Sequence, residues 1–366
     1  MQKQYTYWGM DTCATDSICA IKCPVKVDTG KLVKELRHAE HSEKAEKVAV
    51  KIASNMDTVT AGMRAGLGIT YAMRVAMGKK VFGSLALAAR KLTCGAIPMW
   101  NEHFPKAASK ITYHSIEPAE DKSPVGTVVY FPSCITRSMG VSKSYSNEVE
   151  ITRLTEKLLL KAGYKVVYPD NLNKLCCGMA FSSKGYVEAG KKASDELEAA
   201  LMKASENGKY PVLCDMSPCL YTMHTNMDGG ALKLFEPAEF ILKFLVDKLN
   251  IKKLDRRIAV FAVCSAKKLG VDNMLYEVAK RCAKEVTIID SNCCGFAGDR
   301  GFLLPQLNTH GLRMLRSQVE GTLADGTKVS PCTDGYATSR TCEIGLSLNS
   351  GITFKSILYL LDEASE

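Results

Sequence analysis

Apolar and polar positions follow two rhythms along this chain. From residue 31 to about residue 104 apolar residues recur at helical spacing, and from Met56 to Leu92 they mix with small residues and with Arg64, Arg74, Lys79, Lys80, Arg90 and Lys91. That pattern predicts an all-helical segment opening at Gly30-Lys31-Leu32-Val33. Its charges exclude a spanning helix, which needs roughly twenty apolar residues. Two expectations remain: an interfacial helix with a basic edge on lipid headgroups, or a helix packed on other domains. Past residue 126 the rhythm changes to short apolar runs separated by helical patterns. Val128 to Cys134 reads VVYFPSC and Ile258 to Cys264 reads IAVFAVC, each expected to be a buried strand ending in a cysteine. A second run follows in each copy (Lys165 to Tyr168, then Val286 to Ile289), and a third strand is expected at Pro211-Val212-Leu213 and near Lys328-Val329. Such alternation implies an α/β fold built of βαβ units, with functional side chains at the carboxyl ends of parallel strands.

The two copies form an internal repeat, and cysteines fall at matching places in it. Twin cysteines followed by glycine occur at Cys176-Cys177-Gly178 and at Cys293-Cys294-Gly295. Upstream stand Cys134 and Cys264, and downstream Cys219 and Cys342. Four thiolates per copy match the ligand count of a four-iron cluster. Glycine after the pair would let backbone approach a bulky inorganic core. Zinc is the competing metal, but its usual C-x2-C knuckles are absent, and a pair of buried small hydrophobes is the bland alternative.

These residues resemble the cysteine-rich "CCG" domains of heterodisulfide reductase B subunits, the anaerobic glycerol-3-phosphate dehydrogenase C subunit, and the iron-sulfur parts of glycolate and D-lactate oxidases. Over about two thirds of the chain, YFPSCITRSMG (Tyr130 to Gly140), CCGMAFSSKG, CCGFAGDRGF and SRTCEIGLS (Ser339 to Ser347) resemble in particular the C-terminal region of FAD-linked D-lactate (D-2-hydroxyacid) dehydrogenases. The resemblance implies two tandem CCG domains, at 127–250 and 255–366, each with a small parallel sheet. It departs from the family where C-x-x-C should close each domain, because Met216 and Ser339 stand three residues before Cys219 and Cys342. Cys214 and Cys332 lie nearby as substitutes. The cluster type, cubane or noncubane, therefore stays open.

The amino terminus reads Cys13-Ala-Thr-Asp16-Ser-Ile-Cys19-Ala-Ile-Lys-Cys23-Pro24, a bacterial ferredoxin run with aspartate in its second position. Cys13, Asp16 and Cys19 are expected to share one cluster while Cys23 reaches for a neighbour. The resembling dehydrogenases carry another such run upstream, behind a FAD domain. Residues 1–104 are thus expected to be an incomplete ferredoxin-like helical segment, and 105–126, rich in proline and mixed charge, a linker. Lys252 to Arg257 reads as a shorter one.

Composition narrows the classes. With 366 residues and 46% apolar content, two or three domains with real cores are expected. Fifteen cysteines in a chain whose first ten residues lack a leader pattern fit metal-bound thiolates in a reducing cytoplasm. A formal charge of +9 without a dense basic block favours an anionic membrane surface or acidic substrates over nucleic acid. Gly66-Leu67-Gly68 sits in a helical pattern and is no dinucleotide fingerprint, so FAD is expected on a partner domain or subunit. His38 and His41 read as solvated surface, and Cys94 and Cys282 as structural thiols. Arg137, Lys184, Asp299 and Arg300 flank the cysteine motifs and are candidates to tune a cluster. The function implied is electron transfer from a D-2-hydroxy acid through FAD to a quinone, cytochrome or electron-transferring protein, at or near the inner face of the cell membrane. The alternative is a heterodisulfide-reductase-like subunit with catalytic noncubane clusters.

Overall fold

The computed structural model describes residues 2–118, 123–227 and 230–365. Helices Thr29–Glu40 and Glu43–Ala53 begin where Asp28 and Ser42 accept hydrogen bonds from Lys31 N and Ala45 N, the capping that such side chains provide. A third helix, Met56–Leu92, is interrupted at Gly78, whose φ of 76° breaks the helical backbone in a way only glycine tolerates readily. Its buried positions, Met56, Thr60, Leu67, Arg74 and Phe82, form one stripe along its length. Among the described residues no helix is long and apolar enough to cross a membrane.

Strands β1 (Pro105–Ala107), β2 (Gly126–Phe131) and β3 (Met139–Ser142) follow, and β1 pairs antiparallel with β3. With β4 (Tyr164–Val167), β5 (Val212–Cys214) and β6 (Leu234–Phe235), β2 builds a parallel sheet of order β4-β2-β5-β6. The second half repeats it with β7 (Leu254–Val260), β8 (Ala283–Ile288), β9 (Asp334–Ala337) and β10 (Phe354–Ser356), in the order β8-β7-β9-β10. Matching strands by position makes the two orders identical. Val128 to Phe131 and Ile258 to Val260 are buried on both faces, as central parallel strands covered by helices must be.

The two sheets are not independent bodies. One apolar core contains Val128, Leu158 and Val212 of the first half together with Ile258, Leu275, Tyr336 and Leu358 of the second. At the seam Ser217 N–H donates to Thr338 O (3.2 Å), the Ser217 and Thr338 hydroxyls share a hydrogen bond at 2.6 Å, and Arg340 N–H points at Met216 Sδ, 3.3 Å away. Met216, which stands where a further cysteine was expected, thus faces the opposite half.

Three expectations change. Lys328-Val329 is no sheet strand: Lys328 bridges Thr322, and the third strand of the second half is β9, a few residues on. Asp334-Gly335-Tyr336-Ala337 has little intrinsic strand preference. Pairing with β7 and β10 selects it, and Gly335 is needed there because a Cβ would lie 2.5 Å from the Phe354 ring. The expected linker 105–126 is partly structured, as β1 and as Ile116, which exchanges hydrogen bonds with Val166; residues 119–122 of it lie outside the described residues. Lys252 to Arg257 is not a linker either, since β7 starts at Leu254, with Arg256 paired to Glu363 and Arg257 to Glu285.

Candidate metal centres

In the first half all four expected thiols stand just past the carboxyl ends of strands. Cys134 follows β2, Cys176 and Cys177 follow β4, and Cys219 lies in the first turn of helix Ser217–Asn226 after β5. Along this string the thiols of Cys134, Cys176, Cys177 and Cys219 each shift the ionisation of the next, as close neighbours do, and Cys214 lies beside Cys219 with its own S–H donating to Met216 O at 3.6 Å. The second half repeats the string from Cys264 through Cys293 and Cys294 to Cys342, with the last two sulfurs 3.0 Å apart. Cys332 does not join it; that thiol is buried against Thr287.

The glycine of each motif has a reason other than room for a cluster. Gly178 (φ 81°) and Gly295 (φ 68°) adopt left-handed backbone, and a Cβ on either would lie 2.4 Å from a carbonyl oxygen, of Gly190 and Leu307 respectively. Each also turns its N–H onto the first twin thiol, Cys176 or Cys293, at 3.4 Å. A backbone donor on sulfur suits a thiolate better than a thiol.

A cation three residues after the first cysteine ties each string together. Arg137 is buried and donates to the carbonyls of Pro132 (3.2 Å), Leu172 (2.6 Å) and Leu175, closing the Cys134 loop onto the segment that precedes Cys176. Lys267 does the same with Ser291 O (2.5 Å) and Asn292 O (3.5 Å), ahead of Cys293. Its spacing from Cys264 equals that of Arg137 from Cys134, so the repeat alone could have revealed it. Lys184 and Asp299 form an ion pair at 2.5 Å that joins the loops after the two CCG motifs, and Arg300 donates to Asp11 O.

The amino-terminal run is arranged differently from the expectation. Among the described residues the trio of cysteine, histidine or acid side chains whose donor atoms all lie within 4.8 Å of one another is Asp16, Cys264 and Cys293. Asp16 therefore faces the second-half string, not a centre shared with Cys13 and Cys19. Thr15 and Ser17, on either side, have φ of 49° and 58°, a conformation costly for non-glycine residues, and the turn they make directs Asp16 inward. Cys13 Sγ accepts from Thr15 N–H, and the exposed Cys19 pairs with Thr29 Oγ1 at 3.2 Å. Cys23, half-buried, lies at the end of helix Ile18–Lys22.

The helical segment covers both strings. Ala49, Ala53 and Met56 pack with Cys176 and Phe181, and Val50 and Val59 lie against the same cluster beside Cys134. Further along, Met63 and Leu67 reach the core around Cys294 and Cys342. His38 is exposed, as expected of a solvated surface, and His41 is half-buried; both still tether the helix, bonding Gly185 O (3.0 Å) and Lys184 O (2.8 Å), and His41 stacks on Tyr186 with ring centroids 4.1 Å apart. Buried Arg37 adds bonds to Met10 O, Cys13 O and Ser183 O. No periodicity signals these anchors, because each is one polar residue on an otherwise ordinary helix. Cys282 is buried as expected, whereas Cys94 is exposed in the turn after the long helix.

The donor set fits an all-thiolate metal group. All fifteen cysteines are free, and Cys176, Cys177, Cys214, Cys219, Cys294 and Cys342 of the two strings are buried. Hydrogen bonds from Cys176 and from Cys293, followed by burial, push the thiols of Cys134 and Cys264 well up. Held so close and dry, such groups stay protonated at neutral pH unless a cation takes their protons' place.

Comparison with known proteins agrees with this chemistry. Residues 128–224 match the family model of the cysteine-rich domain, CCG. The chain is 23% identical over 205 residues to the C subunit of anaerobic glycerol-3-phosphate dehydrogenase from Escherichia coli strain K12, covering 52% of this chain and 49% of that protein. Its counterpart from Escherichia coli O157:H7 matches equally. The chain thus carries an iron-sulfur-type CCG region and spans about half the length of the curated relatives it matches.

Proposed function

We propose that this chain is the iron-sulfur electron-transfer part of a flavin-dependent dehydrogenase, an oxidoreductase component that does not itself oxidise the organic substrate. One centre would be held by Cys134, Cys176, Cys177 and Cys219, and another by Cys264, Cys293, Cys294 and Cys342 in a second CCG-type domain. The observation that carries this is the repeated four-thiol string at the same end of two sheets of the same strand order. When bound, such clusters supply one-electron steps between a two-electron flavin and an acceptor. The protein's part is to space the centres, keep water from them and set their surroundings.

The donor is a D-2-hydroxy acid, D-lactate first, on the wording of the four cysteine motifs. A second reading, glycerol 3-phosphate, is favoured by the relative just named. Both are alcohols that deliver two electrons to a flavin on a partner domain or subunit. The acceptor is a quinone, cytochrome or electron-transferring protein. Exposed Ile69, Val75, Val81 and Leu92, beside Lys79 and Lys80, support docking of that long helix on a partner or at the inner face of the membrane. Catalytic disulfide reduction would ask for a fifth thiol at each centre. Cys214 supports it in the first half, but Cys332, turned to Thr287, does not in the second.

The test is anaerobic purification followed by iron, sulfide and zinc analysis and EPR of the reduced chain. About eight irons, four per centre, is the expected result, with further iron at the amino-terminal run as an upper case. Zinc or no metal after reconstitution would overturn the reading. Adding D-lactate or glycerol 3-phosphate to the complex captured with its flavoprotein partner then identifies the donor by which one reduces the clusters.

A further inference from the structure

We infer that Asp16 is an oxygen ligand of the second-half metal centre, so that this centre is built from two distant parts of the chain, the amino-terminal run and the Cys264-Cys293-Cys294-Cys342 string. The inference rests on the iron-sulfur reading and adds a ligand and an asymmetry to it. Its geometry is direct: a carboxylate oxygen of Asp16 and the sulfurs of Cys264 and Cys293 lie within 4.8 Å of one another, and all three residues are half-buried. The sole hydrogen bond of this carboxylate among the described residues is a local one, Ile18 N–H to Oδ1 at 3.2 Å. Where a metal ion takes the place of the protons of Cys264 and Cys293, the Asp16 oxygen and the two sulfurs form one mixed donor set, and the cation holds together three negative groups that would otherwise repel at this range.

The two ends of the strings explain why only the second half has such a ligand. In the first half the matching end, Cys134 and Cys176, is capped by Ala49, Ala53 and Met56. The alanines offer no donor and the Met56 thioether only a weak neutral one, and the extra thiol there lies at the opposite end, Cys214 beside Cys219. In the second half Cys332 is turned away, and Asp16 reaches the Cys264–Cys293 end instead. Oxygen is a harder and weaker ligand for iron-sulfur centres than thiolate. Added to four thiolates, it gives the second centre one distinct corner, where an iron has oxygen beside its sulfur. The oxygen comes from the amino-terminal run, so the run serves as a lid on the second centre.

The experiment compares the full-length chain with Asp16→Ala and Asp16→Cys, each also in a Cys177→Ser background that leaves the second-half centre as the CCG signal to follow. Three quantities are read: iron per chain, the EPR signal of the reduced protein, and the rate of iron release to a chelator. Asp16→Ala should release iron about tenfold faster or more, the scale on which metal affinity responds to lost supporting groups. Asp16→Cys should restore slow release with shifted g values. Release rate and EPR signal unchanged in both variants would overturn the inference while leaving the iron-sulfur reading intact. A wild-type chain that holds no iron would overturn both. A fold check by circular dichroism separates ligand loss from unfolding, and the Asp16→Cys rescue guards against that outcome.

Discussion

The two halves share one frame and differ in what surrounds it. Both place four thiols at the ends of a parallel sheet of the same order, both close the CCG turn with a left-handed glycine, and both bind the string with a cation three residues past the first cysteine. In the first half the cation is a buried arginine with three carbonyl partners, the cover is apolar and the extra donor is sulfur. In the second the cation is a half-buried lysine, the amino-terminal run joins Met63 and Leu67 in the cover, and the extra donor is a carboxylate. Burial and nearby charge are the levers by which proteins tune metal centres, so two clusters held in the same frame under different covers would differ in character. A relay needs that difference, because electrons move along a gradient of potentials.

The strongest way to break the comparison is to remove one string at a time. Cys177→Ser should roughly halve the iron per chain and leave the second-half EPR signal in place, and Cys294→Ser should do the reverse. If either substitution empties both centres, the halves are not separate sites. Next in size are the cations. Arg137→Gln leaves buried carbonyls of Pro132, Leu172 and Leu175 without their charged donor and should cost about 3 kcal/mol in denaturant unfolding, whereas Lys267→Gln should cost about 1 kcal/mol. Equal costs would mean that the two tethers do not differ as their burial implies.

A pH effect sharpens the contrast in the helices that follow the sheets. Glu236 caps the helix after β6, accepting from Glu239 N at 2.8 Å and from Ser217 Oγ, where the second half uses neutral Ser356. Burial raises Glu236 from 4.5 to about 7, so its contribution to stability is full below pH 4.5 and is lost as pH rises through 7. Glu343, likewise raised to about 7 by burial, adds to the same slope. Glu236→Gln should flatten the decline between about pH 5 and 8, by on the order of 2 kcal/mol at the alkaline end. An unchanged slope in urea titrations would refute this assignment. The smallest effect expected is from the exposed Lys184–Asp299 pair: a double-mutant cycle should give at most about 0.5 kcal/mol, vanishing in high salt.

The shared frame was legible in the amino acids. Two apolar runs ending in cysteine, two CCG turns and a common spacing were enough to expect four-thiol sites at strand ends, because strand alternation and left-handed glycine are local physics. That reading did not reach β9, whose Asp-Gly-Tyr-Ala becomes a strand only by pairing, nor β6 and β10, too short to carry a period. Packing chose which extra donor serves which string. Cys214 and Cys332 look alike in sequence, yet one side chain meets Cys219 and the other Thr287. Asp16 reads as part of a ferredoxin run, yet its carboxylate lies with thiols far downstream in the chain. The covering helix, with Arg37, His38 and His41 as its anchors, obeys the same rule: a contact between residues far apart in sequence leaves no spacing behind to be read, and only the folded chain makes it.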